Sequence, residues 1–400
     1  MKFLRSFLIL AFLFSFPLCA EQNKPSLSLI YVGPGNAIYS TFGHVAFRLT
    51  DMERKTDVLF NFGSFDFTDP NFVPKFVKGQ LDYYLGIASF KCDFKFYTKK
   101  ENRTVIEQRL NLTQEEIAKV SDYLLNNALP ENRYYRYDFI KDNCASRIKV
   151  VFDGTLGDTV EFNRNIINRI GERSYRSYIR SHLGSIPWFD FGIQLTLGMP
   201  IDSGVIPSDS FFLPELVQEI AENSYLSDGR KLILDTKVLY QSTAEPSPEP
   251  IIINLPFIIF SLLLVLELAL IFLSKKRSLF NKMLSVFEYS AIVVNFLFGT
   301  LLFYLWFLSD HTATKLNLNL IWCTPLMIVF LITFFLRGAK KILNGFCIFQ
   351  AVMCAVYLLI MAAGLQHSAS PFVPLILFYI TIFTRRLSVF PDNHKASASI

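Results

Sequence analysis

A lone histidine and a lone cysteine, about a hundred residues apart, carry the most specific chemistry in this chain. His44 stands in Ser40-Thr41-Phe42-Gly43-His44-Val45-Ala46-Phe47-Arg48, at the start of an apolar strand. Cys144 stands in Asp142-Asn143-Cys144-Ala145-Ser146-Arg147, at the start of a helix. Exposed N–H groups and the macrodipole bias a thiol at a helix N-terminus toward thiolate. An imidazole beside it completes the activation of a nucleophile. The spacing therefore predicts Cys144 as nucleophile and His44 as base. A third polar side chain must hold the imidazole in one tautomer. Asn61, in Phe60-Asn61-Phe62-Gly63, is the expected holder and Asp66 the reserve. The Cys144 backbone N–H is a natural oxyanion donor.

Positioning these residues requires a framework of strands and helices. Residues 25–240 read as one α+β domain. Leu27 to Val32, Val45 to Leu49, Val58 to Phe62, Tyr83 to Phe96 and Val105 to Leu110 have strand character. Phe72 to Val77 reads as a short helix. Thr113-Gln114-Glu115-Glu116 is a capping box, and Ile117, Val120, Leu124 and Ala128 behind it form one apolar helical face ended by Pro130. Tyr134 to Phe139 reads as a short strand leading to Cys144, whose helix is expected to run to about Phe152. From Gly154 to Leu239 the pattern is less regular.

Composition places this domain at a membrane. Hydrophobic residues make up 52% of the 400 and 41 are Phe, with a mean hydropathy of +0.34, which excludes an ordinary soluble globule. The apolar residues concentrate at the N-terminus and after Ile251. Residues 1–20 read as a signal peptide or N-terminal anchor: Lys2 and Arg5, then Phe7 to Phe16, then Leu18-Cys19-Ala20. Leu18, in the place before the Cys where a small residue is expected, argues against lipidation at Cys19. Residues 241–250 read as a Pro-rich linker. Residues 251–386 read as an all-α transmembrane domain of about five helices, over 251–273, 283–308, 318–336, 342–364 and 371–384, and 387–400 as a cytoplasmic tail. The first four segments have a spanning length of about 20 residues.

The net charge of +5 is no sign of nucleic-acid binding. Nine basic residues sit in three clusters beside the apolar segments (275–282, 337–341 and 385–386), and the rest of the chain is mildly acidic. With residues 25–240 outside, every cluster falls inside. Glu267 and Glu288 fall within spans, as structural or functional groups. Cys92 and Cys144 are the two cysteines of the exported domain, so one disulfide is the plain structural alternative to a reactive thiol.

Several motifs in order give a resemblance: Tyr31-Val32-Gly33-Pro34-Gly35-Asn36, Phe42-Gly43-His44, Asn61-Phe62-Gly63-Ser64-Phe65-Asp66-Phe67, Pro70-Asn71-Phe72, Lys75-Phe76-Val77-Lys78-Gly79, the Cys144 motif, and Asn317-Leu318-Asn319-Leu320 with Trp322. Together they resemble the Bacteroides-type lipoprotein N-acyltransferase family, Lnb. The resemblance covers the whole chain. The first domain is also similar to permuted papain-like enzymes of the NlpC type and to lecithin:retinol acyltransferase, in which His precedes Cys. The resemblance implies a periplasmic papain-like domain and a multi-span domain in the bacterial inner membrane. It implies acyl transfer from a membrane phospholipid, through a Cys144 thioester, to the α-amino group of a diacylated lipoprotein, with no metal or soluble cofactor. Arg147, Asp66 and His311 are the weaker substrate-binding candidates. The competing readings are an NlpC-type cell-wall peptidase or amidase, a phospholipid hydrolase, and a non-catalytic membrane binding module in which Cys144 is replaceable and bonded to Cys92.

Overall fold

The computed structural model describes residues 24–66, 68–243, 253–336 and 339–389. The expected leader over 1–20, and most of the expected linker and tail, lie outside the described residues. The chain divides into two compact units. The first takes residues up to 72, 81–172 and 205–247; the second takes 73–80, 173–204 and 248 onward. Segments 73–80 and 173–204, read from the sequence as parts of the exported domain, thus group with the apolar C-terminal helices.

The first unit is built on an antiparallel sheet. Its strands are β1 (Ser26–Val32), β2 (His44–Asp51), β3 (Thr56–Ser64), β4 (Asp82–Ser89), β5 (Val105–Leu110) and β6 (Tyr134–Arg136); a small pair, β7 (Val160–Glu161) and β8 (Tyr225–Leu226), stands apart, and β9 (Ile233–Tyr240) returns to the main sheet. The seven-stranded order is β6-β4-β3-β2-β1-β5-β9. Alternation sorts the side chains into two faces. Ile30, Val32, Ala46, Leu59 and Val105 form a buried cluster under Phe90, Phe94 and Tyr97. Leu29 pairs with Phe47 in register, and Phe47 packs edge-on against Phe152 of the helix Ser146–Thr155, with ring centroids 5.6 Å apart. The helix Pro214–Glu222 packs against β1 and β2.

Two sequence expectations are corrected in this unit. The segment from Tyr83 to Phe96 is not one strand: β4 ends at Ser89 and a helical stretch follows, Phe90–Lys95 and then Phe96–Lys100. Phe90, Phe94 and Tyr97 recur at helical spacing and bury one side on the sheet, and this overrides the local aromatic strand propensity. The strand expected from Tyr134 to Phe139 stops at Arg136. The capping box is formed as expected: Thr113 Oγ1 accepts from Glu116 N, and Glu116 accepts from Thr113 N, at the start of the helix Gln114–Asn127. The region called irregular in sequence carries the helices Arg164–Gly171, Tyr175–Leu183, Pro187–Thr196 and Pro214–Glu222.

In the second unit, three helices among the described residues are long and apolar enough to cross a membrane: Leu255–Ser274, Ser278–Phe307 and Lys340–Ala362. The third expected span is interrupted. Residues 318–336 form a short 3-10 turn, Leu318–Ile321, and a nine-residue helix, Met327–Phe335. Pro325, which has no N–H, lies between the two. The last helix, Phe372–Val389, runs on through Arg385 and Arg386. These two arginines are not a solvated flank. They are buried and paired with Glu288, Arg385 at 2.6 and 2.7 Å to its two carboxylate oxygens. Glu267 is fully buried in the same unit.

The interrupted segment is held by a buried polar network. Asn317 Nδ2 donates to the carbonyls of Leu195 and Thr196 at 2.8 and 3.0 Å, and Asn319 accepts from Trp322 Nε1 and from the Tyr357 hydroxyl. Arg176, almost wholly buried, binds Asp202, Gln194 and the Gly198 carbonyl. Gly198 has no substitute here, because a Cβ would lie 1.8 Å from the Lys315 carbonyl oxygen. These bonds satisfy backbone groups that an irregular segment leaves open, as a chain in an apolar environment requires.

Candidate active site

The cysteine is presented by a turn whose other members all have structural work. Asn143 Nδ2 donates to the carbonyls of Phe139 and Phe212, at 2.6 and 2.9 Å. Its Oδ1 accepts from Ala145 N and Ser146 N, at 2.7 and 3.0 Å. Ser146 Oγ accepts from Asn143 N, Ala145 is fully buried, and Arg147 forms a bidentate pair with Asp142, at 2.5 and 2.6 Å. Cys144 remains a free thiol with part of its surface open. Cys92 is also free, so the expected alternative of a Cys92–Cys144 disulfide is not formed.

The thiol lies against the histidine strand. The backbone of Val45 lies close enough to the sulfur to favour its ionised form. Val45 directly follows His44 in β2. His44 Nε2 is 3.0 Å from Asn61 Oδ1 in β3. Asn61 Nδ2 in turn donates to Asp93 at 2.9 Å. A carboxylate only accepts, so Asp93 fixes which end of the Asn61 amide faces His44. The amide oxygen accepts from Nε2–H, and Nδ1 is left as the basic nitrogen of the ring.

Electrostatics correct one sequence expectation. The helix begins at Ser146, two residues past Cys144, and Asn143 takes two of the N–H groups near its start. Burial outweighs the donors that remain and pushes the Cys144 thiol up to about 11 rather than down. Burial also lowers His44 to about 4, against the raising effect of its bond to Asn61. At neutral pH the thiol therefore keeps its proton and the imidazole rests uncharged. The buried Arg103 pulls both values down slightly; its Nε donates to the Gly33 carbonyl at 2.7 Å and its guanidinium pairs with Glu101.

The other sequence candidates sit elsewhere. Asp66 is exposed and closes a local turn, accepting from the N–H and hydroxyl of Thr68 at 2.8 and 2.6 Å. It makes no contact with His44, so the reserve role falls away. Arg147 is committed to Asp142 and to the face of Tyr135, 4.1 Å from its ring centroid. His311 belongs to the second unit, where its Nε2 donates to the Phe76 carbonyl at 2.7 Å. Asp93 and Arg103 were missed in sequence. Asp93 was hidden in a stretch read as strand; the Phe90, Phe94, Tyr97 spacing was the available signal. Arg103 offered none.

Comparison with known proteins decides the family. Residues 20–168 match the Lnb N-terminal periplasmic domain, and residues 249–389 match the Lnb transmembrane domain. The chain belongs to the Lnb family. His44, Asn61, Asp93 and Cys144 all fall within the matched periplasmic domain. This Lnb-family chain is therefore a membrane protein with a periplasmic N-terminal domain. No curated protein and no solved structure matches it.

Proposed function

We propose that this Lnb-family protein is a lipoprotein N-acyltransferase of the inner membrane, a multi-pass protein whose first unit carries a Cys-His catalytic pair. The observation that supports this most directly is the free, partly open Cys144 against the strand of His44, whose imidazole is held by Asn61 and, through it, by Asp93. His44 takes the thiol proton as sulfur attacks an ester carbonyl of a membrane phospholipid. The tetrahedral intermediate expels the lysophospholipid, whose oxygen receives that proton, and an acyl thioester remains on Cys144. The α-amino group of a diacylglyceryl-cysteine lipoprotein then attacks the thioester, gives a proton to His44, and leaves as the N-acylated product while the thiol is restored. Both substrates reside in the bilayer, and the three long apolar helices suit an enzyme that meets them there.

The test is mass spectrometry of a lipoprotein N-terminus from cells that lack their own N-acyltransferase and express the chain, intact or as Cys144→Ala. An added N-acyl group with the intact chain only is the expected result. A well-expressed, inserted intact chain that adds none refutes the assignment. Release of free fatty acid without transfer would select the hydrolase reading instead.

A further inference from the structure

A thiol acyl transfer needs donors for the oxygen that becomes negative in the tetrahedral intermediate. The backbone N–H of Cys144 is one. The walls around the sulfur are aromatic, and one of their polar groups has no partner: the Tyr135 hydroxyl is buried and makes no hydrogen bond among the described residues. Tyr135 as a whole is 8% exposed. A buried, unsatisfied hydroxyl costs on the order of 1–3 kcal/mol and calls for a reason.

Gly63 supplies the second observation. It lies in the irregular part of β3 between Asn61 and Ser64, at a φ of +95°. A Cβ placed on it would stand 3.6 Å from Cys144 Cβ and 4.0 Å from the Tyr135 hydroxyl. The space that a side chain at 63 would take is thus within van der Waals reach of both the nucleophile's own carbon and the orphaned hydroxyl. The Tyr135 ring is held in place by the Arg147 guanidinium over its face and by Phe62 at 6.2 Å, edge-on. Burial raises its pKa, so the hydroxyl keeps its proton at neutral pH.

We propose that Tyr135 is a catalytic residue, an oxyanion donor: its hydroxyl hydrogen-bonds the carbonyl oxygen of the acyl group that enters the gap at Gly63 as Cys144 attacks. This deepens the acyl-transfer reading above and rests on it. No covalent bond to Tyr135 forms; it donates one hydrogen bond that strengthens as the oxygen gains charge and relaxes when the leaving group departs. The role also gives Arg147 a structural reason, since it fixes the ring that carries the donor.

The test uses the full chain in detergent and two reagents for Cys144, followed by peptide mass spectrometry. Iodoacetamide alkylates sulfur without forming an oxyanion; a p-nitrophenyl acyl ester acylates it through one. In Tyr135→Phe, alkylation is expected to stay within about twofold of the wild type, while acylation at saturating ester falls by ~10²-fold, the range for loss of one oxyanion donor. The melting temperature should be unchanged or higher, because the hydroxyl removed had no partner. Incorporation of 3,5-difluorotyrosine at 135 retains a stronger donor and should keep acylation at or above the wild-type rate. Equal acylation in Tyr135→Phe and wild type overturns the assignment. A parallel fall in both reactions also overturns it, since Tyr135 would then be holding the thiol and not the oxygen. If wild-type Cys144 is alkylated but never acylated, the acyl-transfer reading itself falls, and the donor role with it.

Discussion

The pH dependence of Cys144 reactivity is the sharpest consequence of the site's electrostatics. In thiol enzymes that rest as a thiolate–imidazolium pair, the sulfur stays reactive far below pH 7. Here burial places the thiol at about 11 and the imidazole at about 4, so the pair rests neutral. At pH 7.5 the thiolate fraction is then ~10⁻³·⁵, some 300-fold below that of an ordinary thiol with a pKa near 8.5. The more basic sulfur is intrinsically the better nucleophile by about tenfold, given a Brønsted slope of 0.4–0.5. The net expectation is alkylation by iodoacetamide roughly 20- to 30-fold slower than that of a free cysteine. The rate should climb about tenfold per pH unit from pH 6 to 10 without a plateau. Quantifying the Cys144 peptide by mass spectrometry separates it from the exposed Cys92. His44→Ala should leave this alkylation profile nearly unchanged, because alkylation draws on free thiolate and an uncharged imidazole contributes no attraction to it, whereas acyl transfer, in which His44 takes the thiol proton, should fall. A flat rate between pH 5 and 8 that collapses in His44→Ala would refute the reasoning, since it would show that alkylation does not depend on the small free-thiolate fraction.

Other consequences follow from the polar partners in both units. Asp93→Asn should lower acyl transfer by roughly tenfold, at the low end for loss of an outer partner, because an amide at 93 no longer dictates the orientation of Asn61; Asn61→Ala should cost at least as much in the same transfer assay. His44 has its folded pKa depressed from 6.5 to about 4, so the folded state resists protonation. Stability is therefore full above 6.5 and lost as pH falls toward 4, by up to about 3 kcal/mol; melting temperatures of wild type and His44→Gln measured from pH 7 to 4 should diverge, with the variant less acid-sensitive. Glu288→Gln strips Arg385 and Arg386 of their buried counterion and should destabilise the second unit by about 3–5 kcal/mol. Thermal unfolding in detergent checks this, and replacement of both arginines by Met in the Glu288→Gln background should restore much of the loss.

Legibility from sequence followed the range of the interactions involved. The Thr113 cap, the strand bearing His44 and the Asn61 partner were readable, because caps and alternation are local and the polar choices near His44 are few. Asp93 was not, because its role depends on whether 90–100 is helix or strand, and the sheet beneath Phe90, Phe94 and Tyr97 decides that. The grouping of 173–204 with the apolar helices was equally invisible: Arg176 and Gln194 gain their partners from Asp202, Asn319 and Gly198, and nothing in local composition announces such bonds. The pairing of Arg385 and Arg386 was not foreseen. Two adjacent arginines at the end of an apolar run look like a flank until a buried Glu288 is found between them.

The direction of the Cys144 shift bears on the choice of acceptor. Helix-end donors alone would have favoured thiolate, and a permanently charged sulfur draws water. The partial burial that raises Cys144 and lowers His44 instead limits the water that can reach the place where a thioester would stand. A thioester in such surroundings survives until an acceptor brings its own nucleophile. An amine anchored in the bilayer does so, and bulk water competes poorly. On the proposed acyl-transfer reading, this environment would favour transfer over hydrolysis, which ties the two readings to one measurable quantity. A variant that opens the site to solvent, by trimming Tyr97 or Tyr137 near the sulfur, should lower the Cys144 pKa and raise free fatty acid release at the expense of N-acyl product. If the alkylation profile shifts to lower pH while the ratio of transfer to hydrolysis stays fixed, water exclusion is not what selects the acceptor.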